Sequence, residues 1–141
     1  MTADQHHLDF IAASHHGVLV TLKKDGRPQL SNIAYYVTAE GRVHISVTAD
    51  RVKTRNAARD PRVSMHVTSK DFWSYVVAEG EAELMPVTTD PHDATADALV
   101  AYYRAVSGEH PDWEEYRAAM VADRRQLLSF EVAHAYGQLP S

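Results

Sequence analysis

Apolar and polar residues alternate cleanly over "VHISVT". Val43, Ile45 and Val47 fall on one side and His44, Ser46 and Thr48 on the other, the period of two expected of a half-buried strand. "VSMHV" repeats the pattern with Val63, Met65 and Val67. "GVLVTL", residues 17–22, reads as a β-branched strand. "KKDGRP" then supplies Asp25-Gly26, a hairpin turn, and "PQLSNIAYYV", residues 28–37, is the return strand. "AEGR", residues 39–42, is the next turn. "FWSYVVAEGEAEL", Phe72 to Leu84, reads as one long strand that turns Glu79, Glu81 and Glu83 outward. "LLSFEVAHAYG", residues 127–137, is the last strand.

Helical spacing interrupts these strands four times. Leu8, Ile11 and Ala12 predict a short helix over Leu8 to Ser14, stopped by Gly17, with His15 and His16 near its C-terminal dipole. "VKTRNAARD" predicts a second, ended by Pro61. After a loop over Pro86 to Thr95, Leu99, Tyr102, Tyr103 and Val106 mark a third, stopped by Gly108. Trp113, Tyr116 and Met120 mark a fourth within "DWEEYRAAMVADRR". About six strands with hairpin turns predict a mainly β fold with accessory helices, its antiparallel sheet closed or nearly closed. The rhythm of a parallel α/β sheet is absent. With 141 residues and no Pro/Gly/Ser linker, a single domain over 1–141 is expected.

Composition narrows the function classes. Apolar residues make up 45% and charged residues 23% of the chain, and no cysteine is present, which excludes disulfides and thiolate metal sites. No stretch reaches the roughly 18 apolar residues of a membrane helix, and "MTADQHHLDF" lacks the features of a secretory signal. A cytoplasmic protein is expected. The formal net charge of −5 argues against general nucleic-acid binding.

One window departs from that balance. "RVKTRNAARDPR", Arg51 to Arg62, carries five basic residues and one acid. This local +4 within a total of −5 leaves −9 for the rest of the chain. If a helix starts near Arg51, the cations Arg51, Lys53 and Arg55 crowd the end whose partial positive charge favours anions, at about 0.3–1 kcal/mol each. A bound anion meeting the free N–H groups and basic side chains reverses that cost. The pattern alone leaves a second reading equally open. Arg51, Arg55 and Arg59 recur every four residues, as a solvated stripe does.

The same window, preceded by "VHISVT", resembles the phosphate-binding segment of the pyridoxamine 5'-phosphate oxidase-like split β-barrel flavoproteins of the FMN-binding type. "GVLVTLKKDGRPQLSNIAYY", "WSYVVAEGEAEL" and "LLSFEVAHAYG" resemble their first hairpin, central strand and C-terminal strand. "DGRPQLSN", "KTRNAARDPR" and "GEHPDWEEYRAAMVADRR" are similar to the actinobacterial members that use the deazaflavin coenzyme F420. The resemblance implies a split-barrel homodimer with cofactor sites at its interface, and hydride transfer between the deazaflavin and a small organic substrate. It implies that Lys53 and Arg55 meet the cofactor's phosphate or acidic tail, assisted by Arg51 and Thr54. Gln29, Ser31 and Asn32 run along the ring, Thr48 faces the cofactor, and Trp73 and Tyr75 lie near the ring or substrate. Coenzyme F420, a polyanion with a phosphodiester and several carboxylates, suits a local cationic site on an acidic protein. FMN, with one phosphate, is the alternative cofactor, and a non-catalytic F420-binding protein the alternative role.

Other chemistry is weaker. Nine histidines show no i, i+4 pair beside an acid, so no metal site is expected. The serines lack a nucleophile elbow, and no residue is singled out as catalytic. Trp113, Tyr116, Tyr102 and Tyr103 are expected in the packing of the late helices.

Overall fold

The cleanest alternation becomes the core. In a computed structural model that describes residues 3–140, Val43, Ile45 and Val47 of one strand are buried against Val63, Met65 and Val67 of another. The chain runs α1 (Gln5–Ala12), β1 (His16–Leu22), β2 (Pro28–Ala34), β3 (Tyr36–Val37), β4 (Arg42–Thr48) and α2 (Val52–Arg59). It continues with β5 (Arg62–Thr68), β6 (Tyr75–Glu81), β7 (Glu83–Leu84), α3 (Ala94–Ser107), α4 (Trp113–Ala122), β8 (Arg125–Glu131) and β9 (His134–Gln138). All strand pairs are antiparallel. They form two sheets, β2-β1-β5-β6-β9 and β3-β4-β8-β7, here the large and the small sheet. Leu19, Met65, Val76 and Ala78 of the first interleave with Val43, Ile45, Leu128 and Phe130 of the second in one core. Each large aliphatic side chain so buried stabilises by roughly 1.5–3 kcal/mol.

Among the described residues nine strands replace about six because three extended runs each pass from one sheet to the other. The run over residues 28–37 breaks at Tyr35, whose ring is fully buried and whose hydroxyl donates to the Ile11 carbonyl. The run over 72–84 is a strand only from Tyr75. It breaks at Ala82, whose N–H donates to the Pro61 carbonyl at 2.7 Å. The run over 127–137 breaks at Val132 and Ala133, and the Ala133 N–H donates to Glu79.

Two helix ends also differ. The first helix stops at Ala12, and Gly17 belongs to β1 rather than to a cap. His15 and His16 do not cap it. His15 Nδ1 lies 2.9 Å from the Tyr35 carbonyl, and His16 pairs with Ala34. The fourth helix stops at Ala122, three residues before the end of its predicted segment. Arg124 turns the chain with φ +54°, and Arg125 already lies opposite Thr48 in the small sheet. α3 and α4 pack on that sheet through Leu99, Tyr116 and Leu127, flanked by Tyr102, Tyr103, Trp113 and Met120. Among the described residues no helix is long and apolar enough to cross a membrane.

Candidate functional site

The turn from β4 into α2 is built around one carbonyl. Thr48 O accepts the Arg51 N–H at 3.1 Å and the Thr54 hydroxyl at 2.8 Å. Thr54 is thereby buried and occupied in holding the turn. Arg51 is the N-cap residue and offers no side-chain cap, and no acid stands in the first helical turn. The opening N–H groups of α2 therefore have no side-chain acceptor, although most helices supply one.

Cations gather at that opening. Arg125 reaches it from β8 because its strand position is opposite Thr48. Its Nη1 donates to Ser46 Oγ at 3.3 Å, and its Nε is buried without a partner. Thr48, Arg51 and Arg125 line a cleft of about 510 Å³ with Asp50 and Asp123. Lys53 stands close enough to both arginines to feel them. Partial burial first, then Arg51 and Arg125, hold its ammonium below the usual lysine range. An orphaned guanidinium N–H, an uncapped helix start and a lysine that feels two arginines form a donor set suited to an anion such as a phosphate.

The rest of the basic window has other work. Arg59 donates to the Leu22 carbonyl at 2.6 Å and to Asn56 Oδ1 at 3.0 Å. Arg62 is paired with Asp60 at 2.8 Å, whose carboxyl is brought down to about 2 by the Arg62 side chain and backbone. Arg55 is exposed on a different side of α2 from Lys53, in a cleft with Lys23 and Lys24.

Gln29 and Ser31 join α2 through Asn56, a polar member of the basic window, and Thr21, which the sequence did not single out. Asn56 Nδ2 donates to the buried Thr21 hydroxyl at 3.2 Å. That hydroxyl donates to Gln29 Oε1 at 3.0 Å, and Gln29 Nε2 donates to Ser31 Oγ at 2.9 Å. Asn32 points to the opposite face of β2 by strand alternation. There it lines a cleft of about 520 Å³ with His16, Val18, Ala34, His66 and Thr68. Tyr75 adjoins that cleft, stacked on His66 at 5.4 Å between ring centroids. Trp73 lies outside any strand, 72% exposed and edge-on to Phe72 at 5.2 Å. Thr48, Arg51, Lys53 and Arg125 thus form one group, Gln29 and Ser31 a second, and Asn32 and Tyr75 a third.

The sequence matches the pyridoxamine 5'-phosphate oxidase family over residues 3–139. The chain belongs to that family. Flavin-type cofactors are bound by its members, and oxidoreductases are among the proteins built on its fold. Solved structures agree on the fold. A conserved hypothetical protein from Mycobacterium tuberculosis is 23% identical, with a TM-score of 0.74 over 100% of this chain and 91% of its own. A protein named F420 reductase is 23% identical, with a TM-score of 0.68 over 91% of this chain and 94% of its own. A heme-binding protein from Mycobacterium smegmatis is 22% identical, with a TM-score of 0.69 over 94% of this chain and 52% of its own.

Proposed function

We propose that this protein is a coenzyme F420-dependent oxidoreductase, acting on a small organic substrate as a split-barrel homodimer. The observation that carries the reading is the cation group at the uncapped start of α2: Arg51, Lys53 and the orphaned Nε of Arg125. These residues fit a phosphodiester. The free α2 N–H groups donate to it at the partially positive end of the helix, and the two guanidinium groups and the ammonium add charge-assisted bonds. Gln29 and Ser31, locked to each other and to α2 through Thr21 and Asn56, present an ordered polar edge that orients a ring without adapting to it. The bound deazaflavin supplies the hydride chemistry; the protein supplies position and exclusion of water. The F420 reductase among the similar structures supports the choice of this cofactor over FMN.

The test is a pair of fluorescence titrations of the purified apoprotein. The expected result is F420 binding at low micromolar affinity or tighter, weakened by salt. Tight FMN binding without F420 binding replaces the reading with an FMN-dependent one. F420 binding without turnover of reduced F420 across quinone and other acceptors makes the protein a carrier instead.

A further inference from the structure

Helix α2 carries its cations on two sides. At about 100° per residue Lys53 and Arg55 project about 160° apart, on a helix about 10–12 Å across. One compact phosphate does not reach both. Lys53 belongs with Arg51 and Arg125. Arg55 instead turns, with Val52, Asn56 and Arg59, toward the β1–β2 hairpin. Lys23, Lys24 and Asp25 complete a separate cleft there, of about 470 Å³.

The charges in this second cleft are unbalanced. Among the described residues Lys23, Lys24 and Arg55 enter no ion pair and no side-chain hydrogen bond, whereas Arg42, Arg62, Arg104 and Arg117 each hold an acid. Asp25 is the one acid lining the cleft, and its carboxylate accepts the Arg27 N–H at 3.0 Å. Arg59 is fixed to Leu22 and Asn56 and keeps the floor positive. The hairpin itself is held by the Lys23 N–H to Arg27 O and Gly26 N–H to Lys23 O bonds, both 2.9 Å, with Gly26 at φ +87°. Among the described residues the lysines are therefore side chains without a partner on an ordered turn, sharing a cleft with an arginine of an ordered helix.

We infer that this hairpin cleft is a second anion subsite, taking the carboxylates of a long polyanionic ligand whose phosphate is held on the other side of α2. It rests on the proposed F420 reading and assigns the acidic tail to Lys23, Lys24 and Arg55. Exposed ion pairs are weak individually. Once the phosphate is anchored, however, the tail meets the cleft at high effective concentration, so weak contacts add to affinity. A short monophosphate gains nothing from it.

The experiment compares F420 carrying several glutamates with its tailless form, on the wild type and on a Lys23→Gln/Lys24→Gln double variant. Unchanged thermal melting checks the variant's fold. The wild type is expected to bind the long-tailed form about tenfold more tightly. The variant is expected to lose that advantage while binding the tailless form as before. Equal affinity of the wild type for both forms overturns the subsite, and so does a variant that weakens both alike. If neither form binds, the proposed function fails by itself. Free tetraglutamate then decides the subsite: backbone NMR shifts at Lys23, Lys24 and Arg55 sustain it, and their absence overturns it.

Discussion

Lys53 is placed where its charge is disfavoured. Partial burial and two neighbouring arginines lower its proton affinity, so the folded chain binds fewer protons than the unfolded chain just below the usual lysine pKa. Stability contributed by this group therefore rises with pH through that window. A bound anion reverses the preference. Lys53→Met is expected to raise the melting temperature of the apoprotein by about 2 °C, the scale of a change of roughly 0.5 kcal/mol. The same variant is expected to weaken F420 binding at least tenfold, since charge-assisted bonds contribute roughly 1.5–3 kcal/mol. A variant that loses stability and keeps its affinity refutes the assignment. Arg125→Ala is expected to weaken binding similarly, and Arg62→Ala, whose partner is Asp60, to change it little. Thr48, Arg51 and Lys53 could be picked out from sequence because they are near neighbours in it. Arg125 could not. Arg124 and Arg125 read as the basic last turn of a helix, and only the early stop at Ala122 and the pairing of Arg125 with Thr48 carry it to the site.

At the scale of elements, Gly80 marks the place where the two sheets touch. A Cβ there would lie 2.2 Å from the Glu131 carbonyl oxygen and 2.9 Å from the Phe130 ring. Gly80→Ala is expected to cost about 3 kcal/mol, the upper part of the range for overpacking, read from chemical denaturation. A loss below about 0.5 kcal/mol, the size of an ordinary surface change, would mean that β6 and β8 separate easily. The start of α3 offers a second check. Burial raises the Asp93 carboxyl, but the N–H groups of Ala96, Thr89 and Asp90 and the Thr88 hydroxyl bring it down to about 2. A depressed carboxyl stabilises above its unfolded pKa, so this contribution is present near neutrality and fades as pH falls from about 4 to about 2. Asp93→Ala is expected to cost about 1 kcal/mol at pH 7 and much less at pH 2. An equal cost at both pH values rules out the ionised cap. Strand identity was legible wherever alternation was clean, as at β4 and β5. The corners at Tyr35, Ala82 and Val132 were not. All three lie within extended, apolar-rich runs, and a bend between sheets leaves the local pattern unchanged while reassigning the partner strand.

For the whole molecule, coverage is asymmetric. α3 and α4 shield the small sheet, while the outward face of the large sheet leaves Leu30 60% and Tyr136 47% exposed. Val18, Ala34 and His66 line the open cleft on that face. Large apolar side chains exposed at both edges of one sheet face suit a contact surface. Under the proposed function that contact is a second copy, packed so that each chain helps to enclose the other's cofactor. Asn32 and Tyr75 lie on this face, whereas Lys53 and Arg125 lie at the start of α2. Sedimentation velocity at micromolar concentration is expected to give a dimer for the wild type, and a monomer for Leu30→Glu/Tyr136→Glu. Both substitutions are at exposed positions, so the monomer is expected to keep its fold and its melting cooperativity. It is also expected to bind F420 at least tenfold more weakly than the dimer, because under the proposed function the partner's share of the ring enclosure is lost while the phosphate-binding group at α2 stays intact. A wild-type monomer, or a monomeric variant with undiminished affinity, would place the whole cofactor site within one chain and remove the dimer from the mechanism.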